Sequence, residues 1–418
     1  MQADLILKDC RQLVTLRGGA EPRTVSAMSD PGIIAGGALA VKDGRILAVG
    51  TTAEIMAAYS APEVVSADDK LVLPGFVDCH THPVFVHTRE DEFALRLEGK
   101  SYVEISLAGG GIRGTIRTTR DASEDLLFEL AAKRIRKMIA LGATTVEAKS
   151  GYGLDTASEL KQLRVIARLN KELPVTVVPT FMGAHEFPEE FKDNHAAYVK
   201  ILCEDMIPAV AEQGIARFCD IFTEAHVFGI EESRIVLNCA RDHGLSLKMH
   251  ADEIEPIGGA ELAAELGCVS ADHLGAASDA GIQAMKEAGV IPVLLPATLY
   301  SLASKKYARG RHMIDCGLPV AIATDYNPGS CNCDSLPFTM SLACLQMGLN
   351  PVEALCACTI NAAHALGLGA ETGSLEPGKL ADFCIWDIPS LNFIPYHLGS
   401  SYITAVYARG KLVHTSSE

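Results

Sequence analysis

The chain has 418 residues and 48% of them are hydrophobic, which is enough to bury a large barrel core with a smaller unit attached. Its 52 acidic and 36 basic side chains give a formal net charge of −16, which argues against nucleic acid as a partner because phosphates require a basic face. The 13 cysteines are odd in number and often lie within apolar runs, as is usual in a reducing compartment.

The first residues, Met1-Gln2-Ala3-Asp4, carry neither the basic region nor the apolar stretch of a secretory signal. No segment approaches the roughly 18 uninterrupted apolar residues that a membrane-spanning helix needs. We therefore expect a cytoplasmic protein that does not contact a membrane.

Both ends of the chain predict short strands joined by tight turns. In the N-terminal part, Asp43-Gly44 separates two apolar runs and is a strong signal for a β-hairpin. Neither end is large enough to bury a core alone, so we predict that residues 1–69 and 370–418 together form a small β-sandwich domain. The strand-like runs are 5–7, 13–16, 38–50, 380–387 and 405–413.

Between these ends, short apolar runs alternate with helical segments, which is typical of βα repeats around a parallel sheet. Eight strand candidates fall within residues 70–369, as a (β/α)8 TIM-type barrel requires. Polar residues follow several of these strands, at the end of the barrel where such enzymes carry their chemistry. The strand candidates are 71–78, 144–149, 175–181, 218–223, 246–250, 270–273, 291–295 and 320–324, and the helical segments are 126–140, 157–170, 231–243 and 260–266, the last with Gly267 as C-cap.

The first barrel strand candidate ends in the sequence Val77-Asp78-Cys79-His80-Thr81-His82-Pro83. Alternate residues of a strand point the same way, so His80 and His82 present two imidazoles to one centre. Neutral imidazole suits a divalent metal such as zinc or iron. An H-x-H pair taken alone is also compatible with ordinary polar residues near a strand end.

Strand five ends with His250, a third imidazole at the same barrel face, and the chain continues Ala251-Asp252-Glu253. A turn at this point can fold the carboxylate of Glu253 over the metal, where it would act as general base toward a metal-activated water. The alternative is that Asp252 and Glu253 are acids at a helix N-terminus, which the helix dipole favours. The residues alone leave both interpretations open.

Strand six ends at His273, and Asp325 follows strand eight. Asp325 can complete the metal site as an oxygen ligand and hydrogen-bond the attacking water, and His273 can stabilise the oxyanion that develops on the substrate. A lone histidine near a strand end is more often a structural residue. The argument for chemistry therefore depends on the whole set, which follows strands one, five, six and eight in order.

The chain resembles the amidohydrolase superfamily in its metal motif, Leu73-Pro74-Gly75-Phe76-Val77-Asp78-Cys79-His80-Thr81-His82. Within that superfamily it resembles the imidazolonepropionase family along essentially its whole length. The joint set of motifs is highly specific, and no carried-over position departs from the family pattern. These motifs are Arg89-Glu90-Asp91-Glu92-Phe93, Gly109-Gly110-Gly111-Ile112, Glu147-Ala148-Lys149-Ser150-Gly151-Tyr152-Gly153, Phe181-Met182-Gly183-Ala184-His185 and Thr324-Asp325-Tyr326-Asn327-Pro328-Gly329-Ser330.

The resemblance implies a homodimer that hydrolyses the cyclic amide of 4-imidazolone-5-propanoate to N-formimidoyl-L-glutamate, a reaction of histidine degradation, with one zinc or iron ion. The implied metal ligands are His80, His82, His250 and Asp325. The implied catalytic residues are Glu253, His273 and Asp325. The implied substrate-binding residues are Arg89, Tyr152, His185, Glu253, Asn327, Gly329 and Ser330. The last three match the loop expected to hold the propanoate or product end.

Two features of the sequence bear on the substrate-binding role of Arg89 and on the number of metal ions. Arg89 offers a fork of donors that suits a carboxylate, although its acidic neighbours 90–92 leave a surface ion pair as the alternative. Lys149 ends strand two, whereas the modified lysine that bridges two metals in parts of this superfamily lies on strand four, where this chain has Phe222-Thr223-Glu224-Ala225-His226. We therefore expect a single metal ion.

Two other functions stay open from the sequence. A deaminase of a related heterocycle shares the set His250, Glu253, His273 and Asp325, so only pocket residues such as Arg89 distinguish it from the amide hydrolase. A barrel that has lost its metal would serve as a scaffold or signalling protein, but such proteins typically lack ligands that are present here. We expect a small substrate that carries a carboxylate.

Overall fold

The computed structural model describes residues 1–100 and 110–416, so Gly109 of the glycine motif lies outside the described residues. Its strands form two sheets of eight strands each. In chain order the strands are β1 (Leu5–Val14), β2 (Ile33–Lys42), β3 (Arg45–Thr51), β4 (Glu63–Ser66), β5 (Leu71–Pro74), β6 (Phe76–Asp78), β7 (Ala143–Lys149), β8 (Thr176–Ala184), β9 (Phe218–Thr223), β10 (Ser246–Ala251), β11 (Ser270–His273), β12 (Ile291–Leu294), β13 (Ala321–Ile322), β14 (Phe383–Trp386), β15 (Ile403–Ala408) and β16 (Lys411–Thr415).

The helices of the middle region alternate with strands and bury one apolar face. In the helix Glu124–Ala140, Leu127, Ala131 and Ile135 are spaced four residues apart and all are buried. The α-helices are Thr52–Ala58, Glu90–Leu97, Ile112–Asp121, Glu124–Ala140, Thr156–Glu172, His195–Ile201, Ile207–Gln213, Ile230–Asp242, Gly259–Leu266, Asp279–Ala288, Pro296–Ser301, Gly310–Asp315, Leu336–Met347, Pro351–Ala357, Ile360–Ala365 and Phe393–Tyr396. Short 3-10 turns span Val25–Ser29 and Glu189–Phe191, and a π-helical turn spans Leu202–Met206.

The second sheet is the predicted barrel, with β6 to β13 hydrogen-bonded in chain order and every pair parallel. The candidates 218–223 and 270–273 match β9 and β11 to the residue, and the other internal strands differ at their ends only. The last candidate, 320–324, shortens to Ala321–Ile322. This sheet confirms the predicted (β/α)8 fold.

The seam between the first and last barrel strands is closed by side chains and loop backbone. The Asp78 carboxylate accepts hydrogen bonds from the Thr324 backbone at 3.0 Å and from the Thr324 hydroxyl at 2.6 Å. The Asp325 amide donates to the His80 carbonyl at 3.0 Å. Burial raises the pKa of Asp78 to about 7 although both Thr324 hydrogen bonds lower it. The seam brings the ends of β6 and β13 together, and both carry predicted metal ligands.

The other sheet joins the two ends of the chain, as the sequence predicts. Its path is β16-β15-β14-β5-β1-β2-β3, and β4 pairs with β1. The Asp43-Gly44 hairpin is present between β2 and β3, where both residues adopt positive φ (51° and 75°) as a two-residue turn requires. The predicted runs 5–7 and 13–16 are one strand, β1, interrupted by an irregularity between Leu7 and Cys10.

The predicted strand 71–78 is wrong as a single element, because it divides at Gly75 between the two sheets. Leu71–Pro74 pairs with β14 of the terminal sheet, whereas Phe76–Asp78 pairs with β7 of the barrel. Gly75 lies so close to Thr144 that an added Cβ would be 2.3 Å from its Oγ1, so the crossing point requires glycine. The division into residues 1–69 with 370–418 and residues 70–369 stays a prediction.

The largest buried apolar cluster joins the barrel strands to their surrounding helices, and a second cluster lies on the terminal sheet. Within the described residues, none of the helices combines the length and the hydropathy needed to cross a bilayer.

Candidate metal centre and active site

Four predicted ligands converge at the carboxyl end of the barrel strands. His80 and His82 follow β6, His250 lies near the end of β10, and Asp325 follows β13. The Nε2 atoms of His80 and His82 are 3.4 Å apart, and Asp325 Oδ1 lies 3.5 Å and 3.7 Å from them. His250 joins the group through His80, with the two rings 4.4 Å apart between centroids. Residues separated by most of the barrel sequence therefore meet at one point.

Carboxylates fix the orientation of two of these imidazoles. Asp272 Oδ2 lies 2.6 Å from His80 Nδ1, and Asp220 Oδ1 lies 3.0 Å from His250 Nδ1. Because an ionised carboxylate only accepts hydrogen bonds, each Nδ1 carries the proton and each Nε2 presents its lone pair to the centre. Although burial raises it, the pKa of Asp220 lies well below its ordinary value because His250 and Lys149 favour its charge.

The donor set fits a divalent metal ion. Burial places the pKa of His80 and His82 well below the ordinary range, so both rings are neutral. His82 Nδ1 is buried without a hydrogen-bond partner among the described residues. The Nε2 lone pair of His80 and the Asp325 oxygen thus face the same centre, and a cation there balances them. Asp325 Oδ2 accepts a hydrogen bond from Thr298 Oγ1 at 2.6 Å, leaving Oδ1 toward the centre. Imidazole nitrogen and carboxylate oxygen are common ligands of such ions.

The adjacent acids after β10 take different positions. Asp252 accepts hydrogen bonds from the amides of Ile257, Gly259 and Ala260 at 2.9–3.1 Å, so it is the acid at the helix N-terminus. Glu253 instead lines the cavity beside the metal ligands, with 10% of its side chain exposed. Burial, helped by the charges of Asp325 and Glu224, raises the pKa of Glu253 to about 8. The helix-terminus interpretation therefore applies to Asp252, and only the carboxylate of Glu253 lies beside the predicted ligands.

His273 lies on the same side of the centre as Glu253. Its Nδ1 is 3.7 Å from Glu253 Oε2, and its ring centroid is 5.1 Å from that of His250. Its φ of 76° is unusual for a non-glycine residue, and such a conformation costs about 1–3 kcal/mol unless its surroundings hold it. Burial lowers its pKa well below the ordinary value, so the ring is neutral and can donate or accept.

A cavity of about 90 Å³ opens onto three of the predicted ligands, His82, His250 and Asp325, and onto most of the predicted substrate-binding residues. Tyr152 and His185 form one wall, and His185 stacks on His82 with 5.0 Å between ring centroids. His185 Nδ1 donates to the Gly151 carbonyl at 3.0 Å, and burial lowers its pKa to about 3. The lining residues are His82, Arg89, Ile112, Tyr152, His185, Phe222, His250, Glu253, His273, Asp325, Asn327 and Ser330.

Arg89 separates this cavity from an outer one of about 280 Å³. Its side chain is 17% exposed, its Nε is 3.8 Å from Glu92 Oε2, and that Nε has no hydrogen-bond partner in the described part of the chain. Gly329 lines the outer cavity, and a Cβ there would be 1.2 Å from Arg89 Nη2. The close approach of Gly329 lets the guanidinium lie at the mouth of the cavity, where it also pairs with Glu92.

The side chain of Asn327 is engaged within its own loop. Its Oδ1 accepts from the amides of Gly329 and Ser330 at 2.8 Å, and its Nδ2 donates to the Asp325 carbonyl at 2.8 Å and to Ser330 Oγ at 2.9 Å. These are the bonds of an Asx-type turn. Asn327 therefore shapes the loop that borders the cavity, and Ser330 faces the cavity beside it.

Sequence reasoning did not assign the charged residues that support the ligands. Asp220 and Asp272 bind the two histidines, while Glu147, Lys149 and Lys248 lie fully buried beside them. The usable signal is a charged residue at every second position of an otherwise apolar barrel strand, as in Glu147 and Lys149.

The chain matches the amidohydrolase family over residues 71–413 and a bacterial imidazolonepropionase-like composite domain over residues 37–59. It is 51% identical to an imidazolonepropionase of Symbiobacterium thermophilum, covering 98% of this chain and 97% of that protein. It is 49% identical to an imidazolonepropionase of Geobacillus, with the same coverage of both chains.

The chain belongs to the imidazolonepropionases of the amidohydrolase family. An adenosine deaminase from Xanthomonas campestris with bound zinc shares the fold of this chain at a TM-score of 0.71 and 20% identity, covering 98% of this chain and 93% of that one. At this identity the likeness concerns the fold alone, so the deaminase alternative has only a distant structural neighbour. The family therefore indicates a hydrolase that acts on an amide C–N bond.

Proposed function

We propose that this chain hydrolyses 4-imidazolone-5-propanoate to N-formimidoyl-L-glutamate, with one zinc or iron ion held by His80, His82, His250 and Asp325. One observation carries the proposal: Glu253 and Arg89 border the same small cavity as the ligand cluster. A base, a metal site and a carboxylate-binding group within one cavity are what this substrate requires.

In the reaction, water adds to the ring carbonyl carbon, the adjacent C–N bond breaks, and the released nitrogen takes up a proton. A bound zinc or iron ion supplies Lewis acidity, which acidifies water and polarises a carbonyl. Glu253 accepts the proton from the attacking water and returns it to the leaving nitrogen. His273, 3.7 Å from Glu253, donates a hydrogen bond to the oxygen on which negative charge develops.

The proton affinity of Glu253 suits this task. A pKa of about 8 makes its carboxylate a stronger base than an exposed glutamate, because the buried cavity disfavours the charged form. General bases work best when their pKa lies near the operating pH. The raised value therefore supports Glu253 as the group that moves the proton.

The other end of the cavity suits the propanoate and the ring. Arg89 presents guanidinium donors whose fork matches a carboxylate. Tyr152 and His185 offer aromatic faces beside the metal ligands, and the neutral His185 adds no charge against the ring. Asn327 and Ser330 hold the loop that closes this side.

The remaining properties are part of the same proposal. Imidazole and carboxylate ligands suit both zinc and iron, and zinc is bound in the related deaminase fold. We propose a cytoplasmic homodimer that acts on a small molecule. We also propose that residues 70–369 carry the chemistry while residues 1–69 and 370–418 form the supporting domain.

The decisive experiment combines elemental analysis of the purified protein with the ultraviolet loss of the imidazolone chromophore. We expect about one equivalent of zinc or iron and turnover that depends on it. Metal without turnover would keep the metal site and reject the substrate. Ammonia released from guanine or cytosine would instead favour a deaminase.

A further inference from the structure

Beneath the metal ligands, a group of charged side chains fills the inside of the barrel. All of them are fully buried, and they come from four strands of the barrel, β7, β9, β10 and β11. Because side chains alternate along a strand, Glu147 with Lys149, and Lys248 with His250, point to the same interior. We call the following set the buried charge cluster: Glu147, Lys149, Asp220, Lys248 and Asp272.

Lys149 connects three carboxylates of the cluster. Its Nζ donates to Asp220 Oδ2 at 2.6 Å, lies 2.9 Å from Glu147 Oε2 and lies 3.8 Å from Asp272 Oδ2. Burial alone would lower the pKa of Lys149, but the charges of these three carboxylates raise it above its ordinary value. Lys149 is therefore a cation at neutral pH.

Lys248, on β10, contacts two of these carboxylates, Glu147 and Asp272. Its Nζ donates to Glu147 Oε1 at 2.9 Å and to the Cys79 carbonyl at 3.0 Å, and lies 3.7 Å from Asp272 Oδ2. Cys79 directly precedes His80, so this hydrogen bond also ties the backbone that carries the first ligand. Lys248 thus contacts both the charge cluster and the ligand-bearing segment.

Two of the carboxylates, Asp220 and Asp272, link the lysines to the predicted metal ligands. Asp220 binds Lys149 with Oδ2 and His250 with Oδ1, so one carboxylate joins the ammonium to the imidazole. Asp272 Oδ2 binds His80, while its Oδ1 accepts from Ser270 Oγ at 2.6 Å. Both carboxylates are fully buried, and without the ammonium groups their charge would be strongly destabilised.

We propose that Lys149 and Lys248 are positioning residues of the metal centre. The Lys149 ammonium fixes the position of Asp220, both ammonium groups lie within 3.8 Å of Asp272, and these two carboxylates hold the Nδ1 atoms of two histidine ligands so that Nε2 faces the metal. Hydrogen bonds from ligand histidines to carboxylates also raise ligand basicity. The inference rests on the proposed metal site but is independent of the substrate.

The test compares zinc affinities of the metal-free protein and its variants by competition with a chelating dye. Lys149→Met removes the ammonium at similar length. The double variant Lys149→Met/Glu147→Gln also removes one carboxylate, so the cluster keeps the net charge of the native protein. Lys379→Met is the matched control, because Lys379 is also buried but binds Ser374 Oγ at 2.7 Å, outside the cluster.

We expect the charge-balanced double variant to bind zinc about 10–100-fold more weakly, the usual effect of losing a group that supports a metal ligand. Its metal-free form should unfold near the native midpoint. At saturating zinc, its kcat should fall while its KM stays within about twofold, because the substrate-binding residues are unchanged. Lys379→Met should change the unfolding midpoint without changing zinc affinity.

Native zinc affinity in the charge-balanced variant would overturn the inference, since a merely structural role alters stability alone. Failure of both Lys149 variants to fold would also overturn it, because the lysine would then serve folding rather than the metal. If the native chain binds zinc but does not hydrolyse 4-imidazolone-5-propanoate, the proposed substrate fails while the zinc comparison still decides the inference. A native chain that binds no metal refutes both.

Discussion

At the scale of single residues, environment separates side chains that look alike in sequence. Asp252 and Glu253 are adjacent acids, yet Asp252 is satisfied by four backbone amides and Glu253 is turned into the cavity. Hydrogen-bonded amides favour the charged form of a carboxyl group, whereas burial beside other carboxylates disfavours it. Only the second environment leaves a carboxylate that binds a proton readily, and that property is required of a base.

Glu253→Gln should lower kcat by roughly 10²–10⁴-fold, because the amide keeps the shape of the side chain but cannot accept the proton. Metal content should stay at the native level, since Glu253 is not a predicted ligand. Glu255→Gln is the control, because Glu255 is exposed two residues further on, and its rate should be native. A Glu253→Gln variant with nearly native turnover would show that another group is the base.

The pH dependence of kcat/KM should also report Glu253. Its pKa is raised from 4.5 to about 8 before the positive charge of a metal is added, and that charge stabilises the carboxylate and lowers the value. The base acts only when deprotonated, so kcat/KM should rise with pH along an acid limb whose midpoint lies between 4.5 and about 8. A limb that persists unchanged in Glu253→Gln would assign it to a different group.

Arg89→Met should raise KM more than it lowers kcat, because the proposed role of the guanidinium is to bind the end of the substrate that does not react. Losing a charged hydrogen bond costs about 1.5–3 kcal/mol, which corresponds to roughly 10–150-fold in kcat/KM. Arg96→Met is the matched control, since Arg96 donates to the Gly329 carbonyl and lines the outer cavity only. Equal losses in both variants would mean that the loop, rather than the carboxylate contact, is affected.

At the scale of elements, periodicity predicted the barrel strands because each is a short apolar run between helices. It missed the break at Gly75, since Leu71–Pro74 and Phe76–Asp78 are both apolar and continuous in sequence. What divides them is the choice of neighbour, β14 on one side and β7 on the other. Pairing between strands that are distant in the chain leaves no pattern in the local sequence.

The site shows the same division between local and long-range information. The convergence of the predicted ligands could be read from the sequence because each lies at or just after the end of a strand, and strand ends share one face of the barrel. The buried charge cluster was not, because Lys149, Asp220 and Asp272 are partners only once β7, β9 and β11 are curved around a common interior. A charged residue inside an apolar strand therefore indicates that it has a buried partner of opposite charge, but not which residue that partner is.

Gly75→Ala should destabilise the native state by about 1–3 kcal/mol, because the new methyl group overlaps the Thr144 side chain at the point where the sheets separate. Denaturant unfolding measures the loss. Gly229→Ala is the control, because Gly229 has a φ of −73° and the nearest atom to an added Cβ is 3.8 Å away. If both substitutions are tolerated equally, the crossing has more room than the distances indicate.

At the scale of the whole molecule, the metal site lies where the barrel closes. Within the described residues, β6 and β13 are joined by the Asp78–Thr324 hydrogen bonds and, just beyond the strands, by a single β-bridge between Thr81 and Tyr326 rather than by a longer ladder. Two predicted ligands follow β6 and one follows β13. A bound ion would therefore join the first and last strands, in addition to its chemical role.

Removal of the metal by a chelator should lower the thermal midpoint, and added zinc should restore it. A ligand present at about 100 times its dissociation constant stabilises the native state by about 2.7 kcal/mol.

Amide hydrogen exchange should show where in the structure this stability is lost when the metal is removed. Protection should fall most in β6 and β13, while the β1–β2 pair of the terminal sheet stays protected because its ladder does not involve the ligands. Equal loss of protection in both sheets would mean that the ion stabilises the whole fold and does not act at the seam.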